Sequence, residues 1–175
     1  MALTPDTKDW TWVLERPCLE CGFDSANYPS GVFAQAVVAR AGEWAAVLAR
    51  DDVRVRTRED RWSDLEYACH VRDMFRVMDG RVVVMLEQDN PIFQNWDQED
   101  TALVERYDLQ DPAVVGDELV ANADDFATRI DGVGPDDWAR PGTRSNGSRF
   151  SVETLIRYSL HDVHHHLWDV SRSDG

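Results

Sequence analysis

The feature that most constrains this chain is a set of apolar stripes at helical spacing, each bounded by its own start and stop signals. From about Ser30 to Arg50, Val32, Phe33, Ala36, Val37, Ala41, Trp44, Val47 and Leu48 line one side of a 3.6-residue repeat. Ser30 is the predicted N-cap of this first helix. A second helix is predicted from Ser63, where Ser63-Asp64-Leu65-Glu66 reads as a capping box, to about Asp89-Asn90-Pro91. Its stripe is Ala68, Val71, Phe75, Met78, Val82 and Met85. A third starts at Asp111 with Pro112 in the first helical position and ends near Asp131, where Gly132 stops it. Val115, Leu119, Ala123 and Phe126 are its buried positions. A fourth runs from Ser151 to about Ser171, with Val152, Ile156, Leu160, Val163, Leu167 and Val170 on its aliphatic side. Strand-like alternation is scarce. Two connections, residues 91–110 and 132–150, exceed ordinary loop lengths. Their Trp96 and Trp138 argue for packing against the helices. Four helices of about 20 residues joined by long crossings predict an all-α four-helix bundle with non-sequential connections.

The 175 residues suit a single domain spanning 1–175, with residues 1–29 as an irregular N-terminal extension. Eighteen basic against 33 acidic residues give a net charge of −15, which repels phosphate backbones and anionic headgroups. Neither nucleic acid nor membrane is an expected partner. Apolar runs such as Val82-Val83-Val84-Met85-Leu86 fall far short of the ~20 residues of a membrane span. The polar N-terminus has no signal-peptide core, and three cysteines are too few for a secreted disulfide framework, so a cytoplasmic location is expected.

The chemistry concentrates in one octapeptide. Four of the five histidines lie in Leu160-His161-Asp162-Val163-His164-His165-His166-Leu167. At about 100° per residue, His161 and His165 share a face and can point at one ion, while His164 and His166 diverge to either side. Tyr158 and Trp168 accompany them, and Tyr158 is a candidate to hydrogen-bond a nucleophile or substrate, though a packed tyrosine is the more ordinary reading. His70, two turns into the second helix, would supply a third imidazole if the second and fourth helices are neighbours. Three neutral imidazoles with open positions suit zinc, nickel or iron. Against this stands the bland reading: an HxxxH on a helix is often a surface coincidence, and a lone histidine is often a satisfied core residue. Asp162 and Asp73 are candidates to orient the imidazoles. Cys18-Leu19-Glu20-Cys21 is a CxxC, open to reading as half a zinc site, a redox pair or an incidental spacing. Cys69 is expected to pack.

Trp62-Ser63-x-Leu65-Glu66-Tyr67-x-x-His70, followed by His161-x-x-x-His165, resembles the DinB/YfiT superfamily over residues 30 to 170. Pro17-Cys18-x-x-Cys21-Gly22-Phe23-Asp24, Asn95-Trp96-Asp97-Gln98 and His161-Asp162-Val163 are similar to an actinobacterial branch of it. Seventeen arginines against the single Lys8 fit such a GC-rich source. The resemblance implies a four-helix bundle with a metal, zinc or nickel, on His70, His161 and His165. It also implies a low-molecular-weight thiol cosubstrate, mycothiol-like, used in S-transfer to or isomerisation of a small electrophile. The alternative is a non-catalytic metal-binding or interaction bundle. A homodimer is a further expectation, because the second loaded face of the fourth helix would serve as an interface.

Overall fold

The computed structural model describes residues 10–171. Its long helices are α1 (Phe33–Leu48), α2 (Asp64–Glu87), α4 (Pro112–Asp131) and α5 (Val152–Ser171), with a short α3 (Gln98–Val104) between α2 and α4. Three short strands, β1 (Ile92–Phe93), β2 (Pro141–Arg144) and β3 (Arg149–Ser151), make a small sheet at one end. The helices are where the stripes put them because burying those stripes is their main stabilisation. Ala68, Val71, Phe75, Met78, Val82 and Met85 of α2 are all buried, as are Val115, Leu119, Ala123 and Phe126 of α4.

The start signals behave as their chemistry requires, with one exception. Ser63 accepts from the Glu66 N–H while the Glu66 carboxylate accepts from the Ser63 N–H, closing the capping box. Asp111 accepts from the Ala113 and Val114 amides ahead of Pro112. Ser151 Oγ accepts from the Thr154 N–H at 3.1 Å, and Thr154 Oγ1 accepts from the Ser151 N–H at 2.8 Å. Ser30 does not cap α1. It opens a 3-10 turn (Ser30–Val32) after Pro29, and α1 begins at Phe33 with no side-chain cap.

Order in space differs from order in sequence. α4 packs on both α1 and α2, and α5 also packs on both, whereas α1 and α2 touch only slightly. The cyclic order is therefore α1–α4–α2–α5, which places α1 diagonal to α2 and α4 diagonal to α5, while α2 and α4 are neighbours. The 132–150 connection must cross an end of the bundle from α4 to α5, whereas 91–110 joins adjacent helices and owes its length to β1, α3 and the turn at Tyr107–Leu109.

Those connections are more ordered than their composition suggests. β1 runs parallel to β2, pairing Ile92 with Thr143, and β2 runs antiparallel to β3, pairing Gly142 with Phe150. The Arg140 guanidinium donates to the Met85 and Gln88 carbonyls at the end of α2, tying the sheet to the bundle. A buried polar cluster fixes the α3–α4 connection. The Tyr107 hydroxyl donates to Asp73, which also takes the Arg72 guanidinium, and Arg72 reaches Gln110 and Glu118. Asp73 is thereby committed to the core rather than to an imidazole. Cys69 packs beside this cluster as expected.

Candidate metal centres

The octapeptide on α5 serves two faces. Among the described residues, two sets of three or more potential metal ligands have donor atoms within 4.8 Å of one another. One set is His70, Asp162 and His166; the other is Cys18, Cys21, His161 and His165. The structure brings His161 and His165 together, as their spacing requires, with ring centroids 5.2 Å apart. It groups His70 with neither. Opposite His70 stand Asp162 and His166, an i, i+4 pair turned one residue further round the helix.

In the first set, His70 Nε2 lies 3.2 Å from Asp162 Oδ2, and His166 Nε2 lies 3.6 Å from Asp162 Oδ1. The two imidazoles meet edge to face, with centroids 4.8 Å apart. His70 is almost fully buried, and its Nδ1 has no hydrogen-bond partner among the described residues. Burial pushes its pKa down despite the facing Asp162 carboxylate, which favours the neutral, ligating form. Burial alone would raise the Asp162 carboxyl, but His166 and the His70 hydrogen bond hold it well below the usual carboxylate range. His166 Nδ1 faces Asp169 Oδ2 at 3.1 Å, which fixes the ring so that Nε2 turns inward.

Aromatic rings wall this set. The Trp96 ring stacks on His70 at 5.1 Å and 3°, and the Trp62 ring lies 5.3 Å from it, tilted by 41°. The small sheet puts Trp96 there, since β1 ends at Phe93 and the Asn95 N–H is held by Ser145 Oγ at 3.0 Å. Trp62 also lines an open cleft of about 620 Å³ in which Arg54, Arg56, Arg58 and Arg106 alternate with Glu59, Glu66, Glu99 and Asp108, Arg56 paired to Glu66 and Arg106 to Asp108. Asp97, next to Trp96, caps α3 by accepting from the Asp100 N–H. Trp138 packs edge-on against Phe33.

The second set joins α5 to the N-terminal segment. His165 Nδ1 is 3.7 Å from Cys18 Sγ, and its Nε2 points towards Glu20 and Asp169 at 3.8 and 3.9 Å. His161 is buried, its Nε2 has no partner among the described residues, and burial pushes its pKa down to about 4. Trp10 covers both imidazoles, and Phe23 meets His161 edge-on. Tyr158 lies elsewhere on α5, with its ring on Phe150 of β3.

Sequence spacing alone left Asp162 as an orienting group and set His166 aside. The available signal was that Asp162 and His166 repeat the i, i+4 relation of His161 and His165, one residue out of phase.

A helical bundle of crossed connectivity, with histidine and carboxylate donors converging between α2 and α5, is the class that fold and site define. The sequence profile of the DinB superfamily matches residues 35–170, and the chain belongs to that superfamily. Among solved structures, YfiT from Bacillus subtilis is similar at a TM-score of 0.70 and 17% identity, covering 82% of this chain and 86% of that one. YfiT is described as a probable metal-dependent hydrolase with an unusual four-helix bundle topology. No curated protein sequence matches the chain. No helix among the described residues is long and apolar enough to cross a membrane.

Proposed function

We propose that the chain is a metal-dependent enzyme whose reactive centre is the set formed by His70, Asp162 and His166, in place of the His70, His161 and His165 grouping expected from spacing. The observation that carries this is the convergence of two imidazoles and one ionised carboxylate beneath Trp96. The donor set fits a divalent cation: two neutral imidazoles and a carboxylate suit zinc, nickel or iron, and three protein ligands leave positions open for other molecules. The orphaned Nδ1 of His70 and the oriented Nε2 of His166 support the fit. A bound cation would act there as a Lewis acid, lowering the pKa of a thiol or water at an open position.

The chain's own residues do the rest. His70 and His166 donate neutral nitrogen pairs, and Asp162 offsets cationic charge. Asp169 holds the His166 ring in its ligating tautomer. Trp62 and Trp96 keep bulk water from the His70 side, which strengthens the electrostatics of the centre. The cleft beside Trp62, lined by paired guanidinium and carboxylate groups, offers room for a polar cosubstrate, and a low-molecular-weight thiol of the mycothiol type in S-transfer or isomerisation of a small electrophile is the finer proposal. Tyr158 lies on α5 one turn from Asp162, which supports at most a role at the far end of a bound substrate.

The test is turnover of an electrophile by the purified protein with a supplied thiol, with and without a chelator. Turnover that requires both thiol and metal, and that is lost in His70→Ala while circular dichroism still reports the helices, supports the proposal. Metal-dependent melting with no turnover of any thiol or hydrolytic substrate favours a non-catalytic, metal-stapled bundle. Unchanged turnover in His70→Ala rejects the centre.

A further inference from the structure

The Cys18-x-x-Cys21 motif is not used by the centre at His70, yet it lies 140 or more positions from the histidines it meets. The hairpin that presents it is built for that purpose. The Cys18 N–H donates to the Phe23 carbonyl at 2.8 Å, and the Gly22 N–H donates back to the Cys18 carbonyl at 2.9 Å. Gly22 sits at φ +76°, in the left-handed region that a side chain would strain, and this tight reversal aims both sulfurs at α5. The tip points away, with Leu19 95% exposed. The hairpin is anchored from α5 as well, since His164 Nε2 faces the Cys21 carbonyl at 3.1 Å.

We propose that Cys18, Cys21, His161 and His165 form a closed, structural zinc site that clips the N-terminal segment to α5, separate from the open centre at His70. Four donors converge: two sulfurs from a CxxC turn and two imidazoles at i, i+4 on a helix, all within 4.8 Å of one another. Tetrahedral ligands at about 2.3 Å for sulfur and 2.0–2.1 Å for nitrogen lie roughly 3.3–3.8 Å apart, and Cys18 Sγ already stands 3.7 Å from His165 Nδ1. The buried Nε2 of His161, without a partner among the described residues, is an independent sign of a missing ligand. All three cysteines are free thiols. His165 Nε2, the nitrogen that would face away from the zinc, lies 3.8 Å from Glu20 and 3.9 Å from Asp169, within the electrostatic reach of both carboxylates. With four protein ligands and the cover of Trp10 and Phe23, no open position is left for a substrate. On binding, both thiols lose their protons to solvent and two Zn–S bonds form, with no change of oxidation state.

This proposal does not depend on chemistry at His70, and cobalt substitution tests it separately. The full chain, stripped by chelator under reducing conditions and reloaded with Co(II), should show a thiolate-to-cobalt charge-transfer band and intense tetrahedral d–d bands. The band should persist in His70→Ala and vanish in the Cys18→Ser/Cys21→Ser double variant, which should also lose one equivalent of zinc. Metal loading should protect two of the three thiols from a disulfide reagent. If the double variant does not fold, the wild-type spectrum and thiol protection decide alone. Cobalt bound without a thiolate band, thiols equally reactive with and without metal, or a Cys18–Cys21 disulfide that metal loading under reductant does not replace would each overturn the site. A thiolate band with no turnover would leave the zinc clip standing and reject only the enzymatic reading.

Discussion

Glu66 shows how one side chain can serve two structures. Its carboxylate completes the capping box of α2 and also takes both arms of the Arg56 guanidinium. Burial would raise its pKa, but Arg56 and the Ser63 N–H reverse that and hold the group below its ordinary 4.5. A depressed carboxylate stabilises the fold above its unfolded pKa, and that contribution is lost as pH falls through the lower folded value. Glu66→Gln should therefore cost about 1–3 kcal/mol at neutral pH. Its urea-unfolding curves should converge with wild type in acid, and parallel curves at every pH would reject the assignment. At the centre, Asp169→Asn should weaken metal binding by roughly 10–100-fold through misorientation of His166, measured by competition with a chelating dye. The grouping of the imidazoles was only half legible in the sequence. Helical geometry fixes that His161 and His165 share a face, but not how α5 is rotated against α2. A turn of about 100° decides whether His161 or Asp162 meets His70. The link from Cys18 and Cys21 to α5 is a long-range contact that no local pattern encodes.

The long helices were legible because each carries a continuous stripe with polar caps, and burial and capping act in the same direction. The sheet was not. Its strands of two to four residues are too short to show alternation, and backbone pairing rather than side-chain pattern defines them. Gly142 shows how tightly this element is fitted. A Cβ there would lie 2.7 Å from Phe93 and 2.8 Å from Met85, so the strand can cross the end of α2 only without a side chain. Gly142→Ala should destabilise by about 1–3 kcal/mol. It should also shift Trp96 off His70, so a change in tryptophan fluorescence on metal binding distinguishes it from a neutral surface change. Ser63→Ala should cost α2 about 1 kcal/mol, read as a lowered melting temperature with the same denaturant slope.

For the whole molecule, the two proposed metal sites act on different parts of stability. Ligands that bind only the native state add about 2.7 kcal/mol at a hundredfold excess over Kd. Chelation should therefore lower the melting temperature of the wild type, and less so in Cys18→Ser/Cys21→Ser, where one site is already gone. Equal chelator sensitivity in the two proteins would argue against a structural role for the cysteines. The diagonal placement of α1 and α2 bears on how the chain can reach this state. α1 and α2 offer each other almost no partner surface, so no early helical hairpin can nucleate from the first half. Assembly has to wait until α4 supplies the shared wall, which raises contact order and slows folding relative to an up-and-down bundle of equal length. A fragment ending at residue 90 should then stay largely uncooperative in solution, its stripes complete but with nothing yet made to receive them.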